Sequence, residues 1–194
     1  DLLPYMLKPV AFLPTKSPRN LESVWPDLMY KIEQYLRKMP NLGRIKGIKE
    51  LNNKLDTNPK LRSAYKTYIS TLTLTGISDK EIALKLEKEL GVQYFLCFEF
   101  LSYPCTNDCS SNQQWLIRLK FIESRSGNLI FWARKKYEFS EVRNNAKFYN
   151  DLALKLILEL VNEFASNVII PWHQWRYNHL TQHSNLIDRS NFGI

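Results

Sequence analysis

Along this chain the spacing of apolar residues alternates between short runs, which suit strands, and a recurrence every three to four residues, which suits helices. "KPVAFLP" (Lys8–Pro14) is an apolar run closed by proline and predicts a buried strand. A polar loop leads to "SVWPDLMYKIEQYLRKMP". There Leu28, Met29, Ile32, Tyr35, Leu36 and Met39 share one helical face. Ser23 is placed to cap that helix, Pro26 suits its first turn and Pro40 stops it. "GRIKGIKELNNKL" predicts a short strand around Arg44–Gly47 and then a helical turn. In "NPKLRSAYKTYISTLTLTGI", Leu61, Tyr65, Ile69 and Leu72 keep the helical period, although the threonine-rich end weakens it. "SDKEIALKLEKELG" predicts a helix opened by a Ser78/Glu81 capping box and closed at Gly91, with Ile82, Leu86 and Leu90 on one side.

"VQYFLCFEFL" is almost continuously apolar and aromatic, as a strand in the centre of a sheet would be. A hairpin follows. Trp115, Ile117, Leu119 and Phe121 alternate with Leu116, Arg118 and Lys120, and "SRSGN" makes the turn, with Gly127 free to take positive φ. On the return strand Phe131, Ala133, Tyr137 and Phe139 share one face, and Trp132, Arg134, Lys136 and Glu138 share the other. Lys135 interrupts the apolar face, which predicts that the strand leaves the sheet near it. A long helix from about Ala146 to Asn167 carries Leu152, Leu156 and Leu160, and "VIIP" predicts a short extra strand at its end. Helices interleaved with strands imply an α/β layered sandwich with a mixed sheet, a C-terminal hairpin and a long helix. The expected organisation is one domain over 1–170 and an aromatic, polar C-terminal tail over 171–194.

Composition adds a core and a charge. Of 194 residues 44% are hydrophobic and 24% charged, an ordinary globular balance. Twenty-seven Lys and Arg against 19 Asp and Glu leave +8, which favours acidic partners without choosing among proteins, lipid or nucleic acid. No stretch approaches the roughly 20 apolar residues of a membrane helix. The chain opens at Asp1 rather than Met, so an upstream piece is expected, such as a signal peptide or a lipid-bearing cysteine. Of the three cysteines, Cys97 lies in an apolar run and reads as a small buried hydrophobe. Cys105 and Cys109 share the polar loop "YPCTNDCSSN", where a local disulfide competes with two free thiols and is favoured. Zinc would need two further ligands, and no second Cys/His pair has suitable spacing.

Catalytic chemistry finds little support. There is no G-x-S-x-G elbow, P-loop or G-x-G-x-x-G fingerprint, and six glycines supply no phosphate-cradling loop. His173, His179 and His183 all fall in the tail. The four-residue spacing of the last two suits metal ligands on a helix, but no helix is predicted there and Leu180 stands where the motif glutamate would be. Glu87/Glu89 and Glu159/Glu163 read as solvated helix faces. The expectation is a protein that is not an enzyme and holds no cofactor or metal. Basic residues are more conspicuous. Lys31, Arg37, Lys38, Arg44, Lys46, Lys49, Lys54, Lys60, Arg62 and Lys66 face only Glu33, Glu50 and Asp56, ten cations against three anions for a local +7. A second cluster is Arg118, Lys120, Arg134, Lys135 and Lys136. A nucleic-acid-binding domain would need these to converge beside stacking aromatics. No helix-turn-helix, zinc finger, KH loop or ribonucleoprotein motif accompanies them, so that is the alternative reading.

Taken together, "KPVAFLP", the helix-to-strand step at Gly91–Leu96 and the hairpin Phe121–Trp132, with Gly127 and Trp132 at characteristic places, resemble the TolB N-terminal-like domain. The same fold occurs in the curli secretion lipoprotein CsgG and the penicillin-binding-protein activator LpoB. The resemblance spans Lys8 to Pro171. It departs from the family at Phe98-Glu99-Phe100, where a glycine is usual, and in the cysteine-bearing loop. The long membrane-inserting hairpins of the curli channel are not evident. The resemblance implies a non-enzymatic periplasmic module, lipid-anchored at the outer membrane, that binds other envelope proteins; a homo-oligomer is compatible with it. A periplasmic home would explain a Cys105–Cys109 disulfide. No catalytic residue carries over. Partner contact would fall on exposed aromatics and the basic strand: Trp132, Arg134, Lys135, Lys136, Trp172, Trp175 and Tyr177. For Trp132, packing under a helix is the competing reading.

Overall fold

Val10–Leu13 (β1) is buried along its whole length, as its unbroken apolar run requires. The computed structural model, which describes residues 9–15, 17, 22–39, 42, 44–102, 113–139 and 146–169, continues with α1 (Trp25–Lys38), β2 (Ile45–Lys46), α2 (Ile48–Thr57), α3 (Pro59–Thr75) and α4 (Lys80–Leu90). The second half is β3 (Tyr94–Ser102), β4 (Gln113–Glu123), β5 (Leu129–Phe139) and α5 (Ala146–Phe164), which runs into a π-helical turn at Ala165–Ile169. The sheet order is β2-β1-β3-β4-β5. β1 is parallel to both neighbours, and β3–β4 and β4–β5 are antiparallel. The fold is therefore an α/β sandwich around a mixed five-stranded sheet with β3 at its centre.

Each face of the sheet has its own core. On one face α1 and α5 cover Phe12, Leu96, Phe98, Trp115, Leu119 and Phe121. On the other, α2, α3 and α4 cover Ala11, Leu13, Phe95, Cys97 and Ile122. Period-two alternation along β3 sends Phe95 and Cys97 to the second core and Leu96 and Phe98 to the first. The threonine-rich end of α3 stays helical to Thr75, because Tyr68 and Leu72 bury against the sheet and tertiary packing outweighs propensity.

Several local expectations are corrected. Val24, not Ser23, is the N-cap of α1, and no side chain bonds there. Asp79 rather than Ser78 caps α4, accepting from Ile82 N at 3.0 Å. Ser78 instead meets the Tyr68 hydroxyl at 2.9 Å, so a tertiary bond has claimed the expected cap. The helical turn after β2 is a ten-residue helix. β5 does not leave the sheet at Lys135: it stays paired to Phe139, opposite Gln113, and Lys135 Nζ reaches Glu163 of α5 at 3.3 Å. Val168 and Ile169 continue the last helix as a π turn, with Val168 buried, rather than forming a strand. Among the described residues no helix is long and apolar enough to cross a membrane.

One contact shapes the β2 end. Glu33, only 6% exposed, points from α1 at the start of α2. Its Oε2 accepts from Ile48 N at 2.8 Å, and its Oε1 accepts from Arg37 Nε at 2.8 Å. Arg37 in turn donates from its other arm to Ile45 O at 3.1 Å. A Cβ at Gly47 would lie 2.0 Å from Glu33 Oε1, so this position is glycine because the carboxylate fills the space.

Candidate interaction surface

The hairpin β4–β5 is covered unequally on its two faces. Inward residues Trp115, Ile117, Leu119, Phe121 and Ala133 lie under α1 and α5, and Trp115 Nε1 donates to Tyr149 O at 3.2 Å. On the opposite face the second core takes Ile122 from β4 and nothing from β5. Register places Lys120 opposite Trp132, Arg118 opposite Arg134 and Leu116 opposite Lys136 there. Gly127, at φ +72°, makes the turn that fixes this pairing.

Two of these cations share one buried carboxylate. Lys120 is 2% exposed, its Nζ 2.7 Å from Glu99 Oε1 and 3.0 Å from Gly76 O. Arg118 donates from Nε to Glu99 Oε2 at 2.6 Å. Glu99, fully buried, therefore sets one negative charge between two cations, and Lys120, held by it, ties the end of α3 to the sheet. Arg118 and Arg134 are directly opposite like charges, an unfavourable pair that Glu99 offsets from the next strand. Arg134 and Lys136 stay exposed, with Lys136 paired to Glu138 on its own strand. Trp132 is 53% exposed, so it does not pack under a helix. Leu74, Ile77, Leu101 and Leu129 add exposed apolar surface on β3, the start of β5 and the end of α3.

The structure thus brings Trp132, Arg134 and Lys136 together on one face and sends Lys135 to the α5 side. Cys105, Cys109, Trp172, Trp175 and Tyr177, with the three histidines, lie outside the described residues. Glu99 was missed as the organiser of the surface. Its signal was a lone carboxylate in an apolar strand. Glu87 also departs from the solvated reading, since it accepts from the Ser124 hydroxyl at 2.6 Å.

Elsewhere the first basic cluster is divided among separate partners. Lys31 pairs with Asp27, Arg37 with Glu33, Arg44 with Glu50 and Arg62 with Asp56, while Lys46 Nζ donates to Leu90 O at 2.6 Å. A cleft of about 1020 Å³ between α1 and α2 is lined by Trp25, Met29, Tyr30, Glu33 and Lys49. Its buried carboxylate is already held by Ile48 N and Arg37. Cys97 is buried, and burial pushes its thiol well above the usual range, as burial does for the Tyr65 and Tyr68 hydroxyls. A thiol in that state is not a nucleophile. Among the described residues no group of three or more His, Cys, Asp or Glu is arranged to hold a metal ion.

No protein-family model matches the chain, and no curated protein matches it. Among solved structures it is similar to lipoprotein GNA1162 from Neisseria meningitidis, at 11% identity and TM-score 0.46, covering 79% of this chain and 97% of that one. It is similar to the hypothetical protein CT253 from Chlamydia trachomatis, at 14% identity and TM-score 0.49, covering 84% and 98%. It is also similar to the C-terminal domain of LpoB from Salmonella enterica, at 8% identity and TM-score 0.40, covering 68% and 83%.

Proposed function

We propose that this chain is a non-enzymatic cell-envelope module that binds other envelope proteins through the exposed face of β5. On this reading it works in the periplasm, anchored at the outer membrane by a lipid upstream of residue 1, and assists a larger envelope or secretion complex. The observation that carries the reading is Trp132, half-exposed beside Arg134 and Lys136 on a strand whose other face packs Phe131 and Ala133 against the core. Large aromatics beside arginine are what anchors most protein interfaces. The TolB N-terminal-like resemblance of the Gly91–Leu96 step and the Phe121–Trp132 hairpin supports the compartment.

Site-specific photocrosslinking from position 132 of the full-length protein in intact cells tests the proposal. The expected result is a discrete adduct with an envelope protein that disappears on Arg134→Glu. Adducts with cytosolic proteins alone, or tight binding of mixed DNA and RNA at low salt that the same substitution abolishes, would instead favour the nucleic-acid reading.

A further inference from the structure

We infer that the outer edge of β5 receives an extended acidic segment of the partner protein as an added strand. The inference rests on the interaction-module reading above and specifies how the partner is held. Among the described residues β5 has one strand neighbour, β4, paired from Leu129 to Phe139 with an irregularity at Ile130. Every second residue of an edge strand turns its N–H and C=O away from the sheet, a ready template for another chain. The face beside that edge carries Trp132, Arg134 and Lys136 in one row. Arg134 makes no ion pair among the described residues, and Lys136 and Lys135 have one carboxylate each.

Charge selects the occupant. A second copy paired antiparallel about residue 134, 135 or 136 would set arginine or lysine against arginine or lysine, and like charges directly opposite are unfavourable. An acidic strand meets the same row with opposite charge. Strand geometry then dictates its pattern. Alternate side chains lie beside Arg134 and Lys136 on the bare face. The intervening ones lie beside Phe131, which packs on Phe164 of α5 with centroids 5.6 Å apart, beside Ala133, and beside Lys135, whose charge Glu163 already meets. The partner segment therefore alternates acidic with apolar residues.

The probe is a synthetic eleven-residue peptide alternating Glu and Val, compared with its Lys/Val counterpart, titrated onto the full chain. The Glu/Val peptide should bind and slow amide exchange along β5. Arg134→Glu should weaken it by about tenfold, the scale of one charge-assisted contact. N-methylation of the peptide along one edge should weaken it by about tenfold or more, through lost ladder hydrogen bonds, and along the other edge should leave it unchanged. Equal binding by both methylated peptides, or unchanged β5 exchange, would overturn strand addition. No preference for Glu/Val over Lys/Val would show that the cations only guard the edge. Either failure leaves the crosslinking result at position 132 to decide the module reading separately.

Discussion

The sheet ends differently on its two sides. At β2 the edge is two residues long and its outward carbonyl, Ile45 O, is taken by Arg37, which Glu33 holds in place. At β5 the edge is eleven residues long, and among the described residues no further strand pairs with it. Each half of the sheet also has one buried glutamate with an arginine. Glu33 uses its arginine to finish an edge, and Glu99 uses Arg118 and Lys120 to brace a face. Closing an edge takes a side chain from a neighbouring helix. Where, among the described residues, nothing closes the edge, backbone and cations face outward, and that is where the proposed partner strand would add.

Removing Glu99 should break the comparison most severely. Glu99→Ala leaves Lys120 buried without a counter-charge and is expected to lose about 4 kcal/mol in urea unfolding. Replacing Glu99, Arg118 and Lys120 together by apolar residues should recover most of it, and a failure to recover would mean that Glu99 acts through packing rather than charge. Glu33→Ala is next. It removes the acceptor at the start of α2 and frees Arg37, for an expected loss of about 2–3 kcal/mol. A loss equal to that of Glu99→Ala would mean that unpairing half-exposed Arg37 costs as much as unpairing buried Lys120.

Alkali should single out the covered half of the second face. Cys97, Tyr65 and Tyr68 titrate above their usual 9.0 and 10.0 when folded, because burial disfavours the anion. A raised acid pKa means that the folded state keeps its proton longer, so this stability is complete below about pH 8.5 and falls as pH rises past the unfolded values. The expected fall by pH 10 is about 1–2 kcal/mol, and Cys97→Ala should remove most of it. A slope unchanged in Cys97→Ala would place its source elsewhere. The smallest effect is expected at Trp132. Trp132→Ala should change stability by under about 0.5 kcal/mol, as an exposed side chain on a bare face would; a larger loss would mean that it packs on something.

The periodic parts of this fold could be read in advance because their cause is local. The central position of β3 follows from its two-sided apolar run, and the division of β5 into a Phe131/Ala133 face and a Trp132/Arg134 face follows from simple alternation. The failures share a different cause. Ser78 was expected to cap and instead bonds Tyr68, ten residues away. Lys135 was expected to end β5 and instead meets Glu163 on α5. Lys120 looked like a surface cation, yet its partners, Glu99 and Gly76, come from another strand and another helix end. Of the surface itself, the sequence held Trp132, Arg134 and Lys136 but not Glu99, whose role depends on the register with β4.

The contact between Glu33 and Gly47 has a consequence for how this fold can change over time. Residues 33 and 47 occupy one volume between them, so neither is free to vary alone: a methyl at 47 expels the carboxylate, and a shorter side chain at 33 leaves Ile48 N without its acceptor. Relatives of this chain should therefore exchange both positions together, Glu with Gly or a small polar residue with Ala. A set of such sequences would reveal the pair as a covariation signal linking α1 to the β2–α2 corner.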